Sequence, residues 1–435
     1  MTSAVLSGRD RFKQHLRKVG SGEHTSKGMS REEAADAMEL MLQGEATPAQ
    51  IGAFLIAHRI RRPEPQELTG MLDTYRAHGP VLQSTAGSRA PLCFGMPYDG
   101  RTRTAPIYPL TALVLLACGQ PVVLQGGDRM PIKYGVTAVD LFRLLDLDLT
   151  GLPISAVADG FQQNGFALIH QPDHFPIAET LIGYREELGK RPPVASLELL
   201  WTPHQGDHLL VSGFVHPPTE ARAWEALKQA GETDVLTVKG LEGGTDLPIG
   251  RACITARVRN GKAERLILHP RDHGCHDADV EWADDTTWAE QARNALQNKG
   301  PLCNALRWNA GAYLWFSGCS KTLEQGIQRA ASVLQTGQAQ AAQSTLRLAE
   351  QLDHPITLER NASDQDRFRR FHHPATTLQQ RSAQLAGLRP QFSDAGRTRI
   401  RFNPVQQGSS MPQPRRTTAA VEQRETIFGM ADRKG

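Results

Sequence analysis

Two glycine turns carry the residue types in this sequence best suited to holding an anion. One is the run F-G-M-P-Y-D-G-R-T-R-T from Phe94 to Thr104, and the other is G-G-D-R-M-P-I-K-Y-G from Gly126 to Gly135. Between them, Pro121-Val122-Val123-Leu124 is short, β-branched and bounded by turn formers, which predicts a buried strand. Gly126 and Gly127 follow that strand at once, where an open α/β sheet collects ligands at the carboxyl ends of its strands. Glycines let the backbone approach a bound group, and Arg129 and Lys133 place positive charge over it, so the expected ligand is an anion such as phosphate. A tight strand-to-helix turn with solvated charges reads the same residues without a ligand.

Other chemistry-bearing runs compete with this one. His269-Pro270-Arg271-Asp272-His273-Gly274-Cys275-His276 brings histidines and a cysteine together, but no C-x-x-C or H-x-x-x-H partner completes a tetrahedral zinc set. Arg367-Phe368-Arg369-Arg370-Phe371 and Arg397-Thr398-Arg399-Ile400-Arg401-Phe402 interleave basic and aromatic residues, which suits phosphate contacts with base stacking. An arm lying over its own domain, arginines out and aromatics in, is the alternative reading of those two runs.

The elements that position the glycine turns divide the chain. Ser30 with Glu33 forms a capping box ahead of an apolar stripe from Ala34 to Leu42. Thr47 followed by Pro48 starts a second helix, and a third begins near Pro65 with Leu68, Met71, Leu72 and Tyr75 on one side. Phe12 and Leu16 set at helical spacing among Arg9, Arg11, Lys13, Arg17 and Lys18 predict an amphipathic helix before them. The methionines and His58 read as packing residues. From Pro91 onward strand-like and helix-like segments alternate, which predicts an α/β domain with a mostly parallel sheet. Val194 to Leu199 is apolar and fits strand or helix alike. The expected organisation is a helical domain over 1–85 completed by about 172–190, an α/β domain over 86–353, and an extended basic arm over 354–435.

At 435 residues, with 40% hydrophobic and 22% charged content, the chain is ordinary for a soluble globular protein of two or three domains. No apolar run reaches the ~18 residues of a membrane span. The N-terminus lacks the apolar core of a secretory signal, and the six cysteines show no C-x-x-C pair, so the expected location is the cytoplasm. Net charge is +3, yet residues 355–435 hold 14 Arg and Lys against 7 Asp and Glu, a net of +7 that leaves −4 for the rest.

The order of segments resembles the anthranilate phosphoribosyltransferase family, grouped with nucleoside phosphorylases in glycosyltransferase family 3. The resemblance covers roughly Phe12 to Ser344. It rests on S-R-E-E-A-A-D-A-M-E-L-M-L-Q-G-E-A-T-P-A-Q-I-G-A-F-L-I-A-H-R-I from Ser30, Y-R-E-E-L-G-K-R-P-P from Tyr184, and W-N-A-G-A-Y-L-W-F-S-G from Trp308 with L-E-Q-G-I-Q-R-A from Leu323. It implies a helical domain, a larger α/β domain and a homodimer formed through the helical domain. It also implies that Gly95, Asp99, Gly100, Arg101, Arg103 and Thr104 line a phosphate turn, faced by Gly126, Gly127, Asp128, Arg129 and Lys133. Arg191 would contact an acidic acceptor, and Asp246 with Glu242 would hold Mg²⁺.

The motifs depart from the family pattern. G-T-G-G-D-G becomes Gly95-Met96-Pro97-Tyr98-Asp99-Gly100, where bulky side chains take up room and Pro97 lacks a backbone donor. K-H-G-N-R becomes Leu124-Gln125-Gly126-Gly127-Asp128-Arg129 with its lysine lost, and only one carboxylate survives at Thr245-Asp246. These changes point away from the classical anthranilate reaction. The sequence therefore supports transfer of a phosphoribosyl or glycosyl group to another acceptor. The alternative is a non-catalytic nucleic-acid binder using the interdomain cleft and the basic arm, since a divergent branch without the glycine signature is associated with nucleic-acid binding.

Overall fold

The computed structural model describes residues 6–22, 25–84 and 89–353; the Arg/Phe runs of the basic arm lie outside them. Helices α1 (Gly8–Gly20), α2 (Arg31–Leu42), α3 (Pro48–Arg61) and α4 (Pro65–His78) open the chain. Both expected start signals are built: Ser30 and Glu33 cap α2 reciprocally, and Thr47 and Gln50 do the same for α3 with Pro48 at its first position. His58 is fully buried, stacked on Phe54 with ring centroids 5.2 Å apart and 3.6 Å from Glu67.

A seven-stranded sheet follows, made of β1 (Leu92–Gly95), β2 (Val122–Gly126), β3 (Phe166–His170), β4 (Leu209–Gly213), β5 (Asp234–Val238), β6 (Cys253–Arg259) and β7 (Lys262–Leu268). Its order is β3-β2-β1-β4-β5-β6-β7, with the first five parallel and the β5–β6 and β6–β7 pairs antiparallel. Strands buried on both faces read as near-continuous apolar runs, as β1 to β4 do.

The two-residue period of the strands divides the core. Cys93, Val123, Ala167, Ile169, Leu210 and Val235 join the cluster that includes α1 to α4, so the helical bundle packs on one face. Leu92, Phe94, Leu124, Leu168, Val211 and Leu236 point the other way. They meet a layer that includes α5 (Tyr108–Ala117), the short α6 (Ala138–Arg143), α9 (Asp285–Leu296), α10 (Cys303–Phe316), α11 (Leu323–Gln335) and α12 (Gln338–Asp353). Helices α7 (Ile154–Asn164) and α8 (Pro217–Gln229) cover the bundle side.

The stretch at about 172–190 expected to complete the helical domain forms the short helices Gln171–His174, Pro176–Glu179 and Gly183–Leu188. The ambiguous run at Val194 is helical, as Pro193–Ser196 and Leu197–Leu200. Burial pushes the Cys93 and Cys253 thiols up to about 12, as befits packing residues. Among the described residues, no helix is long and apolar enough to cross a membrane, and no three His, Cys, Asp or Glu gather as a metal set. In the histidine-rich run, His273 instead pairs with Glu324 at 3.1 Å and His276 bonds the Ile249 carbonyl at 2.9 Å.

Candidate anion site

Neighbouring strands β1 and β4 leave the sheet in opposite directions of chain order, the switch point where α/β sheets open a crevice. Three loops from the carboxyl ends of strands meet there: residues 96–107 after β1, 127–137 after β2 and 239–246 after β5. Backbone pairing locks the first two together. Gly135 N–H donates to the Asp99 carbonyl at 3.0 Å, and Arg101 exchanges both backbone bonds with Val136. Gly100 sits at φ +76°, and a Cβ there would lie 2.5 Å from the Gly135 backbone, so the turn requires glycine.

Those loops gather most of the expected residues into one charged cluster. Arg101, 5% exposed, donates Nη1 to Asp246 Oδ2 at 3.0 Å, Nε to Glu242 Oε1 at 3.3 Å and Nη2 to the Thr104 hydroxyl. Glu242 Oε1 also accepts from the backbone N–H groups of Arg103 (2.9 Å) and Thr104 (3.0 Å), and Oε2 from that of Thr102 (3.3 Å). Three successive amides are an anion cradle, and here the chain's own carboxylate fills it. Glu242 reaches it from a left-handed backbone, φ 54°. Burial alone would raise this carboxyl, but the Arg103 amide, Arg101 and the Thr104 and Thr102 amides hold it at about 2.

Asp246 takes the Ile107 amide at 2.9 Å, at the amino end of α5, where a carboxylate complements the helix dipole. Its burial pushes the carboxyl up, against the pull of Arg101. Asp99 is fully buried, paired with Arg191 and 3.6 Å from Lys133. Lys133 donates to the Gly100 carbonyl at 2.9 Å and lies 3.8 Å from Glu242; burial lowers its ammonium. Arg103 approaches Glu242 at 3.7 Å with 76% of its side chain exposed.

Beside this cluster lies a crevice of ≈ 420 Å³, open solvent included, lined in part by Met96, Tyr98, Gly100, Arg101, Gly126 and Thr137. Gly95 ends β1, and a Cβ on it would lie 2.3 Å from the Leu199 carbonyl, so close backbone packing rather than a ligand takes up its open face. Tyr98 is held from the helical side: its N–H donates to Glu198 at 2.8 Å, and Glu198 is paired with Arg185 inside the protein.

Three of the expected residues in the loop after β2 stand apart from the charged cluster. Gly127 has the Met130 methyl group against it, so a side chain rather than a ligand fills its open face. Arg129 pairs with Asp140 at 2.9 Å and Asp285 at 3.2 Å, because those two carboxylates on neighbouring helices draw its guanidinium away from the crevice. Asp128 bonds His170 at 3.2 Å, and His170 bonds Asp173 at 2.7 Å. Burial would push His170 down, but hydrogen bonds to Asp128 and Asp173 raise it, so the two carboxylates favour its charged form. Sequence reasoning missed Thr102, His170 and the Arg185–Glu198 pair. Thr102 lies inside the quoted turn and Arg185 inside the quoted run from Tyr184, so both could have been included, whereas His170 and Glu198 come from segments with no motif.

The residues implied for Mg²⁺ do not fit it. Around Glu242 stand N–H donors and around Asp246 an arginine and an amide, whereas Mg²⁺ needs oxygens in near-octahedral array.

Two family models match this chain: the helical-bundle domain of a glycosyl transferase family over residues 13–79, and its α/β domain over 101–340. The chain belongs to glycosyl transferase family 3. Within it the likeness is to anthranilate phosphoribosyltransferases. That of Rhodopseudomonas palustris (strain HaA2) is 27% identical over 334 residues, 76% of this chain and 96% of that one. That of Azorhizobium caulinodans is 27% identical over 358 residues, 79% and 99% of the two chains. Among solved structures, the Thermus thermophilus enzyme superposes with a TM-score of 0.65 at 25% identity, covering 79% of this chain and 99% of that one. The Saccharomyces cerevisiae enzyme, in complex with PRPP and Mg, gives 0.66 at 15% identity over 79% and 98%, a likeness of fold.

Proposed function

We propose that this family member has set aside the anthranilate reaction and binds single-stranded nucleic acid across the mouth of the crevice. The observation that supports this is a row of cations spanning the two domains. Arg59 on α3 donates to the Arg191 carbonyl at 3.1 Å, Arg191 reaches Asp99, Lys133 lies between Asp99 and Glu242, and Arg103 closes the row. The intervening carboxylates are buried, with side chains 0% and 2% exposed, while those of Arg103, Arg191 and Lys133 are 76%, 38% and 25% exposed. The face turned to solvent is therefore cationic, which is what a phosphate backbone recognises. Tyr134, beside Lys133 and 49% exposed, offers a ring for base stacking, with its hydroxyl on Glu186. The net +7 of residues 355–435 adds charge of the same sign.

The test is anisotropy of a labelled single-stranded oligonucleotide from about 50 to 200 mM salt. Binding should weaken steeply with salt, and Arg59→Ala with Arg103→Ala should lower the log–log slope by about 0.7 for each phosphate no longer neutralised. No binding at low salt, or a slope unchanged in the double variant, rejects the cation row.

A second reading, transfer of a phosphoribosyl or glycosyl group to an unidentified acceptor, draws on the crevice itself, where Gly126 and Thr137 leave space beside Arg101. Phosphoribosyl pyrophosphate at ~100 times its dissociation constant would add about 2.7 kcal/mol of stability. A rise in melting temperature would favour the transferase; none at millimolar ligand would leave the nucleic-acid reading. Both readings keep a homodimer through the helical domain, where Ile60 on α3 is 74% exposed, and light scattering tests it.

A further inference from the structure

The disagreement between the implied metal pair and its surroundings has a definite structural cause, the guanidinium of Arg101. Its Nη1 and Nε bond Asp246 Oδ2 and Glu242 Oε1 at 3.0 and 3.3 Å, so a single cation bridges the two carboxylates. All three side chains are nearly out of water, 6%, 1% and 2% exposed. We propose that Arg101 is a built-in counter-cation standing in for a divalent ion, and that the same carboxylates become a divalent-metal site once Arg101 is removed.

Two buried carboxylates need compensation, and one guanidinium with five fixed donors supplies it permanently, with no exchangeable ligand positions. Lys133, 3.8 Å from Glu242, adds a second positive charge on the outer side, so a dication would enter against two cations. Asp246 Oδ1, on the carboxylate that Arg101 holds, is buried with no hydrogen-bond partner, as is Oγ1 of the adjacent Thr245. Asp246, Glu242 Oε1 and the Thr104 hydroxyl, which Arg101 now holds together, are hard oxygens of the kind that bind Mg²⁺ or Mn²⁺. The arginine occupies the oxygens that a metal would need.

This inference is independent of what the crevice binds. It predicts that any phosphate-bearing ligand associates equally well with Mg²⁺ present or chelated, because no inner-sphere cation is available to bridge it.

Mn²⁺ serves as the probe, read by electron paramagnetic resonance and by thermal melting of the full chain. The wild type should bind no Mn²⁺ that Glu242→Gln removes, and its melting temperature should not move. Arg101→Met, which keeps bulk and removes charge, should create one Mn²⁺ site at least ~10-fold tighter than anything on the wild type, with a rise in melting temperature. Adding Glu242→Gln should abolish that site, and Arg101→Lys should not create it. A folded Arg101→Met protein that binds no Mn²⁺ overturns the proposal. So does a wild-type Mn²⁺ site that Glu242→Gln abolishes, and that comparison decides the matter even if Arg101→Met fails to fold.

Discussion

Arg185 and Glu198 show how much of this site is held by groups outside its glycine turns. Both are buried, and Glu198 also accepts from the Tyr98 amide, so the pair fixes the turn that closes the crevice floor. Removing one partner leaves the other charge buried and alone, at a cost of about 3–5 kcal/mol. Arg185→Ala should therefore lower the urea midpoint strongly, while Arg103→Ala, on an exposed side chain, should leave stability within about 0.5 kcal/mol of the wild type.

The pH dependence also belongs to single residues. His204 lies buried beside His208, and burial, then the neighbouring imidazole, pushes its pKa down to about 4. A histidine depressed in the folded state binds its proton more readily unfolded. Its contribution is full above the unfolded value near ~6.5 and is lost as pH falls toward 4. His204→Gln should flatten the stability profile across that window; an unchanged slope would contradict the assignment. Glu67 and Glu242, each at about 2, act lower. Their stabilisation is present above the usual glutamate range and disappears as pH drops toward 2.

Between elements, close helix crossings set the tolerance for substitution. A Cβ on Gly326 of α11 would lie 2.2 Å from the Gly311 carbonyl of α10, backbone against backbone with nothing flexible to yield. Gly326→Ala should destabilise by about 1–3 kcal/mol or more, read as a fall in melting temperature. Gly52 on α3 has nothing within 4 Å of an added Cβ. Gly52→Ala should be neutral or stabilise by up to about 1 kcal/mol through helix propensity and unfolded-state entropy. Equal effects from the two substitutions would show that the crossing is not tight.

For the whole molecule, charge is divided between a body of net −4 and a terminal segment of net +7. If nucleic acid is the ligand, ending the chain at Asp353 should weaken binding and reduce its salt slope while the crevice row retains part of both. A truncated chain with an unaltered slope would place every phosphate contact on the body.

The sequence by itself determined the elements whose signals are local. Reciprocal caps at Ser30 and Thr47 need only residues three apart, and the β-branched run ending at Gly126 needs only its own pattern to read as a buried strand. The glycine turns were legible as well, because Gly95 and Gly100 mark places where backbone must come close. Which charges face a ligand was not legible. Asp99 meets Arg191 across 92 positions, Arg101 meets Asp246 across 145, and Arg129 meets Asp285 across 156. Electrostatic pairing is decided by distance in space and by exclusion of water, and neither exists until the parallel strands bring their carboxyl ends together. Residues that looked equivalent in the chain, Arg101 and Arg129 among them, thus acquired opposite fates: one is a buried bridge between two carboxylates and the other a surface pair.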